Sequence, residues 1–326
     1  MEQQTTSQGV DFYRRGIILG AVSSIGYSSA NVFLRAVDDC DPVWVSCIKA
    51  VPTILVVVPW LIWRYCRVER KICPPKLALG LVVLSIVSHY VGNVGFQWSL
   101  NKIGISLAVP ICLGVLIVTG ALVDWLVLKD KPSRRTLWSM VILITAVVVL
   151  STGGEQAFEQ LKKVLDVADA QPYLLAMAIG AVIISGINYG VFGAVIKVVG
   201  NRGVSQPAIM TIISVTGFVF LLLLSSLNGS WELERSFEFE NLAQMTLAGI
   251  CNAIAFVALV SAIKILSVTR YNLVNASQAA LGAISGAVIF HEPVSVWMVL
   301  GIILTVIGLM VMKRDCLLYT SPSPRD

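Results

Sequence analysis

The sequence predicts an all-α integral membrane protein with ten transmembrane helices in two inverted five-helix repeats. Three observations lead there. The composition is too apolar and too poor in charge for a water-facing surface, the chain carries ten long apolar blocks, and its two halves match at one sequence offset. Of 326 residues, 56% are hydrophobic and 13% charged, with a mean hydropathy of +0.82. A soluble globular domain carries about 25% charged residues, so lipid must be the main solvent. The same figures exclude a disordered chain, a collagen and a disulfide-rich secreted module.

The blocks fall at about 16–34, 43–63, 77–99, 105–128, 135–151, 173–198, 206–227, 241–263, 270–290 and 294–312. Each approaches the ~20 residues that a helix needs to cross a bilayer. Helices are expected because only they satisfy their own backbone groups in lipid. Pro52, Pro59 and Pro110 are then kinks inside helices. The tight connection His291-Glu292-Pro293 makes the last two blocks an antiparallel hairpin.

Charge sets the topology. Of the 24 Lys and Arg, 17 fall in alternate loops on one side and five on the other. Basic residues in short loops mark the cytoplasmic face, so both termini are expected to be cytoplasmic. The net charge of +5 is therefore a topology signal rather than a nucleic-acid patch. The expected organisation is a cytoplasmic segment 1–15, a first repeat 16–151, an external linker 152–172, a second repeat 173–312 and a tail 313–326. In the linker Phe158, Leu161, Val164, Leu165 and Ala168 recur at helical spacing among acidic residues, as in an amphipathic interfacial helix. The tail from Cys316 to Asp326 continues none of these patterns and is expected to be disordered or artefactual.

The repeat rests on two matches. Gly20-Ala21-Val22 with Gly26 is met 160 residues later by Gly180-Ala181-Val182 with Gly186. The turn Lys129-Asp130-Lys131-Pro132 is met 161 later by Phe290-His291-Glu292-Pro293. Five spans per half is an odd number, so the second half enters from the opposite side. Inverted repeats are an architecture of alternating access, with a site near the midplane at the repeat interface.

Polar side chains deep in lipid face protein or a wet cavity. Ser85, His89, Asn93 and Gln97 are each four apart, on one slowly drifting helical face. The first block adds Tyr27 and Asn31, the sixth Asn188 and Tyr189, the eighth Asn252, and the ninth Asn272, Asn275 and Gln278. Together with Lys49 in the second block, the cavity-lining candidates are Tyr27, Asn31, Lys49, His89, Asn93, Gln97, Asn188, Tyr189, Asn252, Asn275 and Gln278. Taken singly, each is either lining or interhelical glue. Lys49 carries two readings, an anion contact in the cavity or a lysine that snorkels outward past Trp44 or pairs with Asp38, Asp39 or Asp41 at the membrane edge. His89 is either a proton carrier or a hydrogen-bonded core residue. Asp124, one turn from Lys129, is expected in an interfacial ion pair.

The seven cysteines form no CxxC pair and have no histidine at ligand spacing, so neither metal nor redox chemistry is expected. No phosphate loop, dinucleotide fingerprint or nucleophile elbow occurs, so no cofactor or catalytic residue is expected. The expected partners are a small-molecule solute and the bilayer. GxxxG spacings at Gly16/Gly20, Gly186/Gly190 and Gly282/Gly286 suit packing inside the bundle or pairing of two copies.

Phe290-His291-Glu292-Pro293 leading into Trp297 through Gly301 to Gly308 closely resembles the end of a repeat in EamA-type transporters of the drug/metabolite transporter superfamily. In that family each half often ends with a Glu-Pro turn and a glycine-bearing helix. The first half departs from this, with Lys131 at the Glu position and Ser139-Met140 and Val147-Val148 where glycines are expected. The resemblance covers roughly residues 16–312. It implies movement of a small polar or amphipathic metabolite, amino-acid-like or drug-like, commonly as export across a plasma (inner) membrane. The alternatives are a sugar-phosphate or nucleotide-sugar exchanger, which would need several cavity cations, and an integral-membrane enzyme, for which no acid/base constellation is evident.

Overall fold

The computed structural model describes residues 2–37, 39–67, 73–130, 132–152, 172–229, 237–291 and 294–318. Among them every regular element is helical. The first half comprises α1 (Glu2–Arg35), α2 (Pro42–Arg67), α3 (Pro75–Val87), a π-helical stretch (Ser88–Val94), α4 (Gly95–Ile103), α5 (Ile105–Val127) and α6 (Arg134–Thr152). The second comprises α7 (Pro172–Asn201), α8 (Gln206–Asn228), α9 (Phe239–Ile265), α10 (Val268–Asn275), α11 (Ser277–Ile289) and α12 (Val296–Leu318).

All ten apolar blocks are helical, and seven described helices are long and apolar enough to cross a membrane. The other three blocks are α6, the α10–α11 pair and α12. The ninth block is cut at Ala276 into pieces of eight and 13 residues. Helix α1 starts at Glu2 rather than at the edge of the apolar block, and α12 runs past 312 to Leu318. The amphipathic linker helix and residues 319–326 lie outside the described residues.

The outer surface is apolar, as lipid requires: Leu55, Leu79, Val83, Trp138, Leu223 and Val288 are exposed. Between helices the buried residues are often small, such as Ala30, Ala108, Ala178, Ala255 and Ala279. Lipid supplies no hydrophobic force between helices, so close backbone approach has to hold them together. Gly249 on α9 shows how close. A Cβ there would lie 2.7 Å from the Lys49 carbonyl oxygen and 2.8 Å from the Pro52 ring of α2.

The packing has two-fold character. Helix α1 lies along α9, and the α3–α4 span lies correspondingly along α7. Helix α5 packs on α7, and α10–α11 on α1; α2 packs on α9, and α3 on α8. The pairs α2–α8, α5 with α10–α11, and α6–α12 map onto themselves. Exchanging the halves thus returns the same contacts. Among the described residues, the turn before the last helix of each half also contains one non-glycine residue in the left-handed region, Lys129 at φ 60° and His291 at φ 52°.

The family departure in the first half has a packing reason. A Cβ on Gly308 of α12 would meet Leu143 of α6 at 2.7 Å, and the Ser139 hydroxyl donates to the Gly308 carbonyl at 2.7 Å. One helix supplies the notch, and the other supplies the side chains that fill it.

Candidate functional site

Both halves wall a central cavity with about 170 Å³ of room for the centres of water-sized molecules. The π-helical stretch is what turns the third span into its wall. Its i→i+5 pattern changes the phase of the helix, and Ser88, His89 and Asn93 come to face the cavity together. Serine hydroxyls fasten this span to the second half. Ser85 donates to the Ile213 carbonyl at 2.6 Å, Ser99 to Ala178 at 2.9 Å, and Ser185 to Val91 at 3.0 Å.

At the centre lies a three-element contact. Lys49 of α2 is buried, and its Nζ donates to Asn93 Oδ1 at 3.4 Å. The same oxygen accepts from the Tyr189 hydroxyl of α7 at 3.0 Å. Asn93 thereby joins the halves across the cavity. Asp41 is occupied elsewhere: its Oδ1 accepts from the backbone N–H groups of Val43 and Trp44, capping α2. Among the described residues Lys49 thus has Asn93, and not Asp41, as its hydrogen-bond partner, while Asp38 lies outside the described residues.

His89 Nδ1 lies 2.9 Å from the Ser85 carbonyl oxygen, which fixes the proton of a neutral ring on Nδ1. Its ring fills a notch on α8, where a Cβ at Gly217 would come within 2.2 Å of Cε1. On the opposite wall Tyr271 shares a hydrogen bond with Ser23 at 2.8 Å and donates to Asn275 Oδ1 at 3.3 Å. Gln278 also donates to Asn275 Oδ1. Asn252 Nδ2 reaches Thr53 Oγ1 at 3.5 Å.

Nine of the eleven candidates line this cavity: Tyr27, Asn31, Lys49, His89, Asn93, Tyr189, Asn252, Asn275 and Gln278. Gln97 does not. The phase change in the π-helical stretch carries it out of the column, and its Nε2 donates to the Leu34 carbonyl at 3.0 Å and to Asn101 at 3.1 Å. Asn188 is also outside the wall. It is one helical position from Tyr189 and packs on Gly92, where a Cβ would lie 2.9 Å from its Oδ1. Sequence reasoning missed Ser46, Thr53, Ser88, Ser214 and Tyr271 in the wall, along with Phe96, Phe192 and Phe256. Spacing held a signal for two of these, since Ser46 precedes Lys49 by one turn and Tyr271 precedes Asn275 by one.

Asp124 corrects another expectation. It is buried, and its Oδ2 accepts from the Thr269 N–H at 3.0 Å and the Thr269 hydroxyl at 2.7 Å. It therefore ties α5 to the start of α10, where an ion pair with Lys129 was expected. Nearby, Lys197 donates to the Ile263 carbonyl at 2.9 Å and to the Leu266 carbonyl, at the end of α9. Gly16 and Gly20 meet Leu266 and Val274, and Gly186 and Gly190 meet Cys112 and Thr119. Those two GxxxG pairs are used inside the bundle.

The model of the EamA-like transporter family matches residues 14–152 and again 176–314. The chain belongs to that family. The two matched stretches are the two halves described above, so this EamA-like protein is a multi-pass membrane protein built from two family repeats. No curated protein sequence matches it. Among 28 similar chains of known structure is one described as "Crystal structure of protein", at 13% identity and a TM-score of 0.64, covering 97% of this chain and 99% of that one. At that identity the likeness concerns the fold.

Proposed function

We propose that this EamA-like protein is a secondary transporter that moves a small polar or amphipathic solute by alternating access. Its ten spans form two oppositely oriented repeats in a plasma membrane, both termini are cytoplasmic, and the net direction is export. The observation that carries this reading is the cavity shared by the repeats. Lys49, His89 and Asn93 enter it from one half, and Tyr189, Asn252, Asn275 and Gln278 from the other. A site walled by two similar bundles becomes accessible on opposite sides as one rocks against the other. Ser24 and Ser277 meet across the repeats at 2.6 Å, and such single hydrogen bonds are weak enough to break and remake in a cycle.

Solute counterflow in proteoliposomes tests this. Vesicles preloaded with the substrate accumulate labelled substrate transiently, and empty vesicles do not. Chemical conversion of the solute without translocation would replace the transporter reading with an enzyme.

A further inference from the structure

We infer that the cavity is built for an organic monoanion, a carboxylate on an apolar or aromatic body without a neighbouring amine. The inference rests on the transport reading above and narrows it. Four observations carry it.

The first is an unbalanced charge. Lys49 lines the cavity and is buried, and among the described residues its hydrogen-bond partner is a single amide oxygen at 3.4 Å that is already shared with Tyr189. A buried ammonium is costly unless it is paired and hydrogen-bonded. Three donors on Nζ therefore meet one long contact, and the missing partner is an anion.

The second is a pair of hydroxyls with nothing to bond. Ser46 and Ser88 both line the cavity and are 1% and 4% exposed. Their Oγ atoms have no hydrogen-bond partner among the described residues. Ser46 stands one turn before Lys49 on the same face of α2, and Ser88 stands one π-helical turn before Asn93. Buried hydroxyls of this kind are ordinarily satisfied. Two of them on the elements that carry Lys49 and Asn93 supply donors for the oxygens of one carboxylate.

The third is the absence of a counterpart. Among the described lining residues there is no Asp or Glu. An α-amino acid would bring its ammonium next to its own carboxylate, and hence close to Lys49, with no acid to receive it. A phosphate monoester would bring a second negative charge against a single cation. The charge balance is right for one carboxylate.

The fourth is the rest of the wall. Phe96, Tyr189, Phe192 and Phe256 also line the cavity, with the Phe192 and Phe256 rings tilted at 32° and 6.1 Å apart between centroids. An apolar body suits that surface.

The test is binding to the purified full-length protein in detergent, read by thermal shift and calorimetry with matched probes: 3-phenylpropionate, its primary amide, phenylalanine, phenethylamine and phenyl phosphate. The acid is expected to bind about 10- to 100-fold more tightly than each of the others, the range of a hydrogen-bonded charge pair. In Lys49→Gln the preference of acid over amide should vanish while the amide binds as before. Lys49→Arg should keep the preference, and Ser46→Ala should weaken the acid alone. Equal affinity for acid and amide, tighter binding of phenylalanine or phenyl phosphate, an acid preference that survives Lys49→Gln, or no binding of the acid would overturn the inference. Binding is read without transport, so failure of counterflow with this selectivity intact would sink the transporter reading and leave the anion site standing.

Discussion

The two repeats share an architecture and divide the chemistry. At the offset of 161 set by the turns before the last helices, Lys49, His89, Asn93 and Asp124 correspond to Met210, Ile250, Ile254 and Ser285. The first repeat supplies the cavity's cation and its histidine. The second supplies Tyr189, Asn252, Tyr271, Asn275 and Gln278, which are uncharged hydrogen-bonding groups. Backbone irregularity divides in the same way. The third span of the first half passes through a π-helical stretch, whereas α9, its counterpart, is one continuous helix. In the second half the break falls in the fourth span, at Ala276 beside Asn275. Each irregularity sits where polar side chains enter the cavity, which is where helix distortions at functional positions are found. The repeats have therefore kept their packing and diverged in their walls.

Glycines show what is kept. Gly26 and its counterpart Gly186 both sit against backbone, with a Cβ 3.1 Å from the Cys251 carbonyl oxygen in one case and 2.6 Å from that of Cys112 in the other. Gly26→Val and Gly186→Val are each expected to cost about 3 kcal/mol by overpacking, read as a lowered Tm in detergent. A tolerant member of the pair would mean that the halves do not share this packing.

The next effect belongs to the first repeat alone. Asp124→Ala removes two hydrogen bonds to Thr269 and should cost about 2 kcal/mol. Among the described residues Ser285 bonds only within its own helix, to the Leu281 carbonyl at 2.7 Å, so Ser285→Ala should leave Tm nearly unchanged.

Within the third span, Asn93→Leu should weaken solute binding about tenfold, a net loss of roughly one charged hydrogen bond. Gln97→Leu should leave solute affinity unaltered, because Gln97 bonds Leu34 and Asn101 outside the cavity. Calorimetry with the cavity ligand reads both.

The smallest effect separates the other glycine pair. A Cβ at Gly180 meets nothing within 4 Å, whereas at Gly20 it would meet Val274 at 3.1 Å. Gly180→Ala should raise stability by up to ~1 kcal/mol through helix propensity, and Gly20→Ala should gain nothing. Parallel thermal melts decide.

The architecture was largely legible before any coordinates. Apolar blocks and the Gly-Ala-Val repeat are one-dimensional signals, and each corresponds to a helix or a packing contact. The wall was legible where an α-helical period holds, as for Asn275 and Gln278. It misled at Gln97, because nothing in Ser88–Val94 announces an i→i+5 pattern, and that pattern decides which way the next turn points. It misled at Asp124, whose partner Thr269 is 145 residues away in the other half. Sequence distance to Lys129 was a poor guide to a partner chosen by helix packing. Ser46 and Ser88 escaped notice because an isolated serine in a membrane helix ordinarily bonds its own backbone, as Ser226 does to Leu222 at 2.9 Å.

The central claim is that one cavity between the repeats is reached from each side of the membrane in turn. Its most direct measurement is the reactivity of Asn252→Cys, in a background with the other cysteines replaced, toward a membrane-impermeant thiol reagent in right-side-out and inside-out vesicles. The account predicts labelling from both faces, slowed from both by bound solute. Labelling from one face alone, with or without solute, would contradict it.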